Sequence, residues 1–563
     1  MLKKLSAQIN FFLSNKYYFW TMILTAIAGY GYQLTHSTCG VDDICIDLYF
    51  EAGLGVAIGR WPFFVLNKII PMTEYQPFIM DFFTLLLLLA SAVMWCVIFR
   101  LVMGDKISMI SYCFFTSIFL TYSMMADVFI FYLQNGIGLV FLLTALSLYL
   151  FYYLFTSQVS VKENILIKLI TIVSLTFAIS FYETAANIYL FGVVLICFLD
   201  LMYKSKMGAN HWKRFLGIMC YMVRMLLYSI LARRVIRTGI LYLFHIQPYA
   251  YRSASSVSWL YKNSFEASLG YLIRLLCQFL RDYFAVAVIY YPVFLFVLAT
   301  IFFVGYVIYQ TIKNRKVSLL VYGMLTYLSL YALSVVQCEI LGYRACQTFS
   351  IFVGVTLLLA TEALLKKNAW MKGIGITVIV ILLINSAYDL NHWFALDYRK
   401  TEMEMKVIDQ IAYDLKAGDY NIEEKPIVVV GNYEFDEDFI KNYAITEGEF
   451  GWELVEWAAE FTLGELNGVY RYSQMSPSII DWSVDALASY SGYNAQIKKF
   501  FDYQGHTFLW ADKEICEKVI YKYFPPTYTE IGEQINIETY EPNEAYPNEG
   551  YIVEMEDCIV IRL

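Results

Sequence analysis

Two adjacent carboxylates, Asp42 and Asp43, open a polar loop directly after the first long apolar segment of the chain. Neighbouring carboxylates repel each other, and this repulsion can raise the pKa of one of a pair toward the range of a general base. If the chain turns helical after the pair, Asp43, Asp47 and Glu51 lie four residues apart and share a helix face. Because a solvated surface helix would also explain Asp47 and Glu51, we predict general-base chemistry only for Asp42 and Asp43.

Four arginines have the chemistry to hold a phosphate group. Arg60 lies at the end of the first polar loop, Arg233 and Arg234 begin a basic connection that runs to residue 281, and Arg344 is the single positive charge of a short loop. A guanidinium binds phosphate through charge-assisted and often paired hydrogen bonds. We therefore predict phosphate contacts for all four. Contact with anionic lipid headgroups stays open for the basic connection, and an ion pair within the first loop stays open for Arg60.

The composition shows that the elements positioning these residues belong in a membrane. Of the 563 residues, 59% are hydrophobic and 16% are charged, and the mean hydropathy is +0.53, which is typical of polytopic membrane proteins. Residues 397–563 hold 33 acidic and 13 basic residues, a net charge of −20, whereas the preceding part holds 16 acidic and 28 basic residues, a net charge of +12. The two parts therefore belong to different solvents.

Segments of about 20 apolar residues are long enough to cross a hydrocarbon core of ~30 Å. Eleven are predicted, at 17–35, 79–101, 107–126, 135–156, 165–183, 185–202, 215–232, 286–310, 317–336, 347–365 and 373–389. Basic residues precede the first segment and fill alternate connections, so the positive-inside rule predicts a cytoplasmic N-terminus and places the first loop and the acidic tail outside. Arg224, inside the seventh segment, is predicted to face the bundle interior, because a charge facing lipid is expensive.

The change in composition predicts two domains, a helical membrane domain at 1–390 and a small α/β or α+β domain at 391–563. In the second domain an amphipathic pattern that ends near Gly418 predicts a helix, KPIVVVGNYEF predicts a buried strand, and GYIVEMEDCIVIRL predicts a two-stranded hairpin. No nucleotide-binding or hydrolase motif is found there, and the five histidines of the chain are too dispersed to predict a metal site.

The eleven cysteines are scattered, without the close clusters of a zinc site. Three pairs each share a segment predicted outside the cytoplasm, where disulfides can form. Disulfides and free thiols both stay open for these pairs, which are Cys39 with Cys45, Cys338 with Cys346, and Cys516 with Cys558.

The first loop with its flanks, GVDDICIDLYFEAGLGVAIGRWP followed by an apolar helix, resembles the GtrII-type glucosyltransferase family of bacterial membrane proteins. The Asp-Asp pair followed by GRW is its most distinctive point, FYETAANIYL around Tyr182 is a weaker one, and the likeness covers most of the membrane domain. The resemblance implies a GT-C-like fold. It also implies transfer of a hexose, glucosyl above all, from a polyprenyl-phosphate-linked donor to a cell-surface glycan or glycopolymer outside the plasma membrane. Such enzymes use an acidic residue of the first outer loop, which matches Asp42 and Asp43.

The residues and this resemblance together predict a mechanism. Asp42 or Asp43 takes the proton of the acceptor hydroxyl, the arginines hold the leaving phosphate, and the acceptor or the sugar is contacted by Asp127, Tyr182 and Glu183. A simple turn between two helices would also explain Glu183. A divalent cation between the Asp-Asp pair and phosphate is left open, because two carboxylates are an incomplete oxygen site. The expected partners are the lipid-linked donor, the glycan acceptor and membrane lipid, with no nucleic acid.

Two other classes of function fit a polar loop and outer arginines as well. A flippase or exporter of lipid-linked glycans also needs a polar cavity, but such proteins are typically built from internal repeats, and none is visible in this sequence. A non-catalytic envelope assembly protein would bind through the acidic tail and would tolerate replacement of Asp42 and Asp43. The enzyme is favoured because acids and bases concentrate in the segments predicted at the outer face.

Overall fold

The computed structural model of the chain divides its described residues into two compact units. The described residues are 1–36, 38–40, 43–69, 76–126, 129, 136–204, 211–248, 293–337, 345–433, 478–485, 492–523 and 544–563. Among them, the first unit contains 1–36 and the residues from 46 to 395, and the second contains the residues between 38 and 45 and those from 396 onward. The predicted boundary between 390 and 391 stays a prediction.

Apolar helices form the first unit. Nine helices in the described part are long and apolar enough to cross a membrane by length and composition, namely Pro77–Met103, Ile137–Thr156, Val161–Phe181, Thr184–Tyr203, Trp212–Leu243, Leu295–Asn314, Val317–Val336, Thr348–Leu365 and Ala369–Ala417. Two more predicted spans coincide with the helices Lys16–Thr35 and Met109–Thr121. The chain is thus a mostly helical, polytopic membrane protein, while the number of eleven spans stays a prediction.

Shorter elements flank these helices. They are the helices Leu2–Leu13, Ile46–Phe50, Leu54–Ile58 and Trp61–Ile69 and the 3₁₀ turn Ser123–Met125, while the span Val317–Val336 is itself made of the helix Val317–Leu328, the 3₁₀ turn Ser329–Tyr331 and the start of the helix Ala332–Gln337. The 109–121 helix begins on a buried carboxylate, because Glu362 Oε1 accepts hydrogen bonds from the N–H of Ser108 and from the hydroxyls of Ser108 and Ser111 at 2.7–2.8 Å. An acceptor at this place satisfies N–H groups that the first helical turn leaves without a partner.

Aromatic rings and small residues make up the core of the first unit. The side chain of Trp95 is fully buried, and the ring of Phe99 meets that of Phe115 edge-on with the centroids 4.9 Å apart. At Gly192 a Cβ atom would lie 2.3 Å from Leu148 Cδ1, so an alanine there would force the Leu148 side chain to move.

The helix His211–Leu243, which we call the arginine helix, corrects two predictions. The predicted outer connection begins at Arg233, but Arg233 and Arg234 lie inside this helix; the remainder from 249 to 281 lies outside the described residues. With 33 residues the helix is about 50 Å long, well beyond ~30 Å of hydrocarbon, so its apolar part can span a membrane while its last turns project beyond it. Arg224, predicted to face the interior, is exposed, and its Nε donates to Cys220 O at 3.2 Å.

The second unit contains a three-stranded mixed sheet. Its strands are Ile427–Val430, Ile552–Glu554 and Ile559–Arg562, and the last lies in the middle, parallel to the first and antiparallel to the second. The predicted strand and the predicted C-terminal hairpin are thereby confirmed. The helices of this unit are Ile479–Asp485, Ala495–Tyr503, Lys513–Tyr523 and the C-terminal part of Ala369–Ala417. The helix predicted to end near Gly418 does end at Ala417, but it continues the last apolar helix instead of starting anew.

The sheet buries one apolar cluster against the 513–523 helix. Each of its members is at most 8% exposed, because the helix covers this face of the sheet. The cluster consists of Val428, Val430, Cys516, Val519, Tyr523, Cys558 and Val560. Among the described cysteines of the three pairs, Cys39, Cys45, Cys346, Cys516 and Cys558 form no disulfide, whereas Cys338 lies outside the described residues.

Candidate functional site

The first loop folds into two short helices and a tight turn that ends at Arg60. The helices are Ile46–Phe50 and Leu54–Ile58, and Gly59 follows with a φ of +100°, in the left-handed region that favours glycine. The N–H of Arg60 donates to Gly55 O at 2.6 Å and closes the turn. The backbone therefore holds Arg60 at a defined place, and its side chain is only 6% exposed.

Two arginines of the arginine helix bind backbone carbonyls of this turn. Arg233 Nε donates to Gly59 O at 3.3 Å. Arg237, one helical turn further on, donates from Nε to Val56 O at 3.1 Å and from Nη2 to Ala57 O. The last carbonyls of a helix have few partners within it, and the arginines bind them here, although Val56 O also accepts from the N–H of Gly59 at 3.0 Å. Both arginines are thereby tied to the first loop.

Tyr182 and Glu183 form the short connection between two apolar helices, and both contact arginines. The guanidinium carbon of Arg60 lies 4.8 Å from the centroid of the Tyr182 ring, a cation–π contact. Arg233 Nη2 donates to Glu183 Oε1 at 2.5 Å. Glu183 therefore lies in a helix turn, as one of its two interpretations predicts, and its carboxylate also takes part in an ion pair.

The charge of Glu183 is set by its neighbours. Burial alone would raise the pKa of the Glu183 carboxyl, but the charges of Arg233 and Arg60 outweigh burial, so the pKa lies below its ordinary value of 4.5. The carboxylate is thus ionised at neutral pH. Together with Arg60, Arg233 and Arg237 it leaves a net charge of two positive units, and we call these four side chains and Tyr182 the arginine cluster.

Aromatic pairs attach the first loop to the helix that ends at Phe181. Trp61 meets Phe177 with ring centroids 5.0 Å apart, and Phe63 meets Phe181 at 5.3 Å, both edge-on. Each such pair contributes about 0.5–1.5 kcal/mol beyond the area it buries. The turn that carries Arg60 is therefore fixed on both sides, by ring contacts and by the hydrogen bonds of the arginines.

Asp43 lies in the second unit, in a turn that its own side chain closes. The N–H of Gly40 donates to Asp43 Oδ2 at 2.5 Å, and the N–H of Asp43 donates to Gly40 O at 3.0 Å. The side chain of Asp43 is 4% exposed. The chain does turn helical after the Asp-Asp pair, but Asp43 begins a 3₁₀ turn, and the α-helix that follows runs from Ile46 to Phe50, with the N–H of Glu51 donating to Asp47 O at 2.7 Å.

Four buried ionisable side chains of the second unit, Asp43, Asp397, Lys400 and Glu404, form what we call the acid–lysine cluster. Lys400 Nζ lies 3.5 Å from Asp397 Oδ1 and 3.9 Å from Glu404 Oε2, and none of the four is more than 5% exposed. The Cys39 thiol lies within electrostatic range of all four. Its burial, followed by the charge of Asp43, raises the pKa of this thiol, and Lys400 opposes the rise.

Glu404 connects this cluster to the start of the 479–485 helix. Its Oε1 atom accepts hydrogen bonds from Ser478 Oγ at 2.7 Å, from the N–H of Ile479 at 2.5 Å and from the N–H of Ile480 at 3.3 Å. These N–H groups belong to the first helical turn and have no partner within the helix. Glu404 thus joins a buried lysine to a helix start.

The chemistry of a metal site is not found in the part of the chain that the structure describes. No group of three or more His, Cys, Asp or Glu side chains there is arranged to hold a metal ion. Asp42 lies outside the described residues, so a divalent cation at the Asp-Asp pair stays an open expectation.

Comparison with known proteins identifies the family. The profile of the family described as Glucosyl transferase GtrII matches residues 31–361, more than half of the chain. The chain belongs to this family. Membership implies a glucosyltransferase. No curated protein and no solved structure matches. The GtrII segment contains the whole arginine cluster, whereas Asp397, Lys400 and Glu404 of the acid–lysine cluster lie beyond it.

The structure of this GtrII protein brings some of the predicted site residues together. Arg60, Tyr182, Glu183 and Arg233 meet in the arginine cluster. Arg234 lies on the same helix as Arg233 but is exposed. Three predicted residues lie outside the described part, and their roles stay predictions: Asp42, Asp127 and Arg344.

Two residues of these clusters, Arg237 and Lys400, were not among the predicted site residues. Arg237 follows Arg233 by four residues in the same basic connection, the spacing that puts two side chains on one helix face, but only Arg233 and Arg234 were chosen from this connection for the phosphate site. Lys400 gives no signal in the sequence, because it lies among the many charged residues of an amphipathic helix. Its importance comes from complete burial, which the local sequence does not show.

Proposed function

We propose that this GtrII protein moves a glucosyl unit from a polyprenyl-phosphate-linked donor to a cell-surface glycan or glycopolymer on the outer side of the bacterial plasma membrane. The observation that carries the proposal is the arginine cluster, with its net positive charge beside the ends of apolar helices. A lipid-linked donor enters from the bilayer and presents its phosphate near such helix ends. Because excess charge in a partly buried place is costly, an anionic ligand is favoured there.

The proposed reaction is an inverting group transfer. The oxygen of an acceptor hydroxyl attacks the anomeric carbon of the donor sugar while the bond from that carbon to the phosphate oxygen breaks. A carboxylate takes the hydroxyl proton, and polyprenyl phosphate leaves with the electron pair of the broken bond. Cations that hold the phosphate stabilise the charge that develops on it.

The roles are distributed over the residues as follows. We assign the base to Asp42 or Asp43. Arg60 is the first choice for the phosphate, because its guanidinium lies over the Tyr182 ring in the arginine cluster and the backbone turn at Gly59 holds it in place. The further candidates are Arg233, Arg234 and Arg344 for the phosphate, and Asp127, Tyr182 and Glu183 for the acceptor or the sugar.

The test is a transfer assay with the purified full-length protein in lipid nanodiscs, with polyprenyl-phosphate glucose as donor and envelope glycans as acceptor. Released polyprenyl phosphate and glucosylated glycan are measured together. At least one of Asp42→Asn and Asp43→Asn is expected to lower turnover about 10²-fold or more with donor binding retained. The matched control is Asp47→Asn, a half-buried acid of the next helix, which is expected to transfer at the parent rate.

Two results would contradict this proposal in different ways. If both Asn variants fold and transfer at the parent rate, the first loop is not catalytic. If the parent protein carries the donor across a bilayer without transferring its sugar, a flippase replaces the enzyme.

The proposed orientation has its own test. A reporter that works only outside the cytoplasm, fused after Leu563, is expected to be active, because the basic connections alternate as the positive-inside rule requires. A fused reporter that works only in the cytoplasm is expected to be silent. The opposite pattern would place the acidic tail inside and would exclude transfer on the outer side by this part of the chain.

A further inference from the structure

We propose that the C-terminal unit is part of the catalytic apparatus, and that Lys400 is a positioning residue that fixes the place and the charge of the turn that holds Asp43. This inference rests on the proposed function, since the loop acts as a base only there. Its basis is the division of the chain, in which residues 38–45 belong to the same compact unit as the C-terminal residues from 396 onward. Lys400 lies beyond the matched GtrII segment, which ends at residue 361.

The described part of the loop is a buried component of this unit. The 3₁₀ turn Asp43–Cys45 packs against the helix Ala495–Tyr503. Cys39, Asp43 and Cys45 are at most 4% exposed. A surface connection between two helices would have water around it, whereas this loop takes its surroundings from residues more than 350 positions further along the chain.

Lys400 supplies the positive charge of the acid–lysine cluster. Its ammonium group is fully buried between Asp397 and Glu404 of its own helix, and it lies within electrostatic range of Cys39 in the loop that holds Asp43. A buried ammonium group and buried carboxylates stabilise one another, and removal of one partner leaves an uncompensated charge. We infer that the Asp43 carboxylate, buried in the same unit, depends on Lys400 for part of its compensation.

Other titratable groups also face the loop. The 495–503 helix contributes Tyr503, whose hydroxyl lies within electrostatic range of Cys39 and Asp43, and Lys499 lies one turn earlier on that helix. Asp397 and Glu404 add negative charge from the other helix. Since a nearby positive charge favours an ionised carboxylate and a nearby negative charge opposes it, Lys400 and Asp397 should act on the loop with opposite signs.

The experiment measures the pH dependence of glucosyl transfer in two variants. Lys400→Met removes the positive charge at similar length, and the acidic limb of the pH–rate profile is expected to move up by roughly half a unit to one unit. Asp397→Asn removes a negative charge at similar shape, and the limb is expected to move down. The matched control Lys498→Met, an exposed lysine of the 495–503 helix, should leave the limb in place.

A purely structural lysine gives a different result. Its replacement would lower the rate at every pH without moving the acidic limb of the pH–rate profile. An unchanged acidic limb in folded Lys400→Met and Asp397→Asn proteins would therefore overturn the inference. If Lys400→Met does not fold, Asp397→Asn alone decides. A shift of its acidic limb to lower pH supports the inference, and an unchanged limb overturns it. Failure of this inference leaves the proposed function intact, provided that the parent protein transfers glucosyl units.

A second readout separates the two ideas if the parent protein shows no transfer. Asp43→Asn is then combined with Lys400→Met, and the melting temperature of the full-length chain is measured. Asp43→Asn removes the carboxylate that Lys400→Met leaves uncompensated. The double variant should therefore melt at a higher temperature than Lys400→Met alone, or should fold where Lys400→Met does not. Absence of this rescue would show that Lys400 does not compensate the loop.

Discussion

In both clusters a charged side chain is held by hydrogen bonds to backbone groups at a helix end, with cationic donors in the arginine cluster and an anionic acceptor in the acid–lysine cluster. In the first, Arg233 and Arg237 donate to carbonyls at the end of a short helix. In the second, Glu404 accepts from N–H groups at the start of another. Both sets of backbone groups lie at helix ends, where the helix leaves hydrogen-bonding groups without partners of its own. Helix ends can therefore hold long charged side chains in place, as other side chains do.

The difference between the clusters lies in exposure and in residual charge. Glu183 of the arginine cluster is 38% exposed, and the cluster keeps an excess of positive charge. Lys400 and Glu404 are fully buried, and their opposite charges lie one turn apart on the same helix and compensate each other. A partly open cluster with excess charge suits a ligand that comes and goes, whereas a closed cluster suits the fixing of a loop. Four substitutions test this contrast.

The largest effect is expected in the closed cluster. Glu404→Ala removes an acceptor of three hydrogen bonds and leaves Lys400 buried with less compensation. Loss of one partner of a buried pair costs about 3–5 kcal/mol of the free energy of unfolding, which thermal unfolding of the full-length protein in detergent will detect. Glu402→Ala, half-buried and bonded to the Tyr398 hydroxyl, is the control and should cost about 1 kcal/mol. Equal losses in both variants would contradict the contrast.

The next largest effect concerns the open cluster and its ligand. A charge-assisted contact to phosphate contributes about 1.5–3 kcal/mol, so Arg60→Ala should lower kcat/KM for the lipid donor roughly 10- to 150-fold. Arg60→Lys keeps the positive charge but loses the planar guanidinium fork. Its kcat/KM should therefore lie between that of Arg60→Ala and that of the parent. Arg234→Ala is expected to have the smaller effect, because Arg234 is exposed. A parental kcat/KM in folded Arg60→Ala would move the phosphate site to another arginine.

Gly59→Ala tests how the first loop meets the arginine helix. The backbone at Gly59 has a φ of +100°, and an added Cβ would lie 2.6 Å from Arg233 Nη2. Backbone strain alone costs about 1–2 kcal/mol. Gly505→Ala is the matched control, since Gly505 also follows the end of a helix, with a φ of +81° and nothing within 4 Å of the added atom. A larger fall of the melting temperature in Gly59→Ala than in Gly505→Ala isolates the contact with Arg233, and equal falls would show that the contact contributes nothing.

The smallest effect is expected for Glu183→Gln and depends on pH. Because the arginines hold the pKa of Glu183 below its ordinary value of 4.5, its ion pair stabilises the fold above that pH, and the contribution disappears as the pH falls through the lowered value. Since Glu183 is 38% exposed, solvent screening limits the pair to about 1 kcal/mol or less. The melting temperature of Glu183→Gln should therefore fall less on acidification than that of the parent, and parallel curves would contradict the pair.

Parts of the fold follow from local sequence. Apolar runs of about 20 residues predict helices because length and hydropathy are local properties, and the described helices coincide with them. The strand at Ile427–Val430 and the final hairpin also follow from a local pattern. The prediction failed where a helix continued past a polar boundary, as in the arginine helix and in Ala369–Ala417, since charged residues within helices look like the start of a loop.

The sequence by itself determined the membrane class, the distinctive Asp-Asp and GRW motif and, through them, the GtrII family. Only the tertiary structure decided which charges meet. Arg233 binds Gly59, 174 residues earlier in the chain, and the turn of Asp43 shares a unit with Lys400. The physical reason is that hydrogen bonds and buried charges act over a few ångströms in space regardless of sequence distance. Their partners are therefore fixed by packing, which no local pattern of residues encodes.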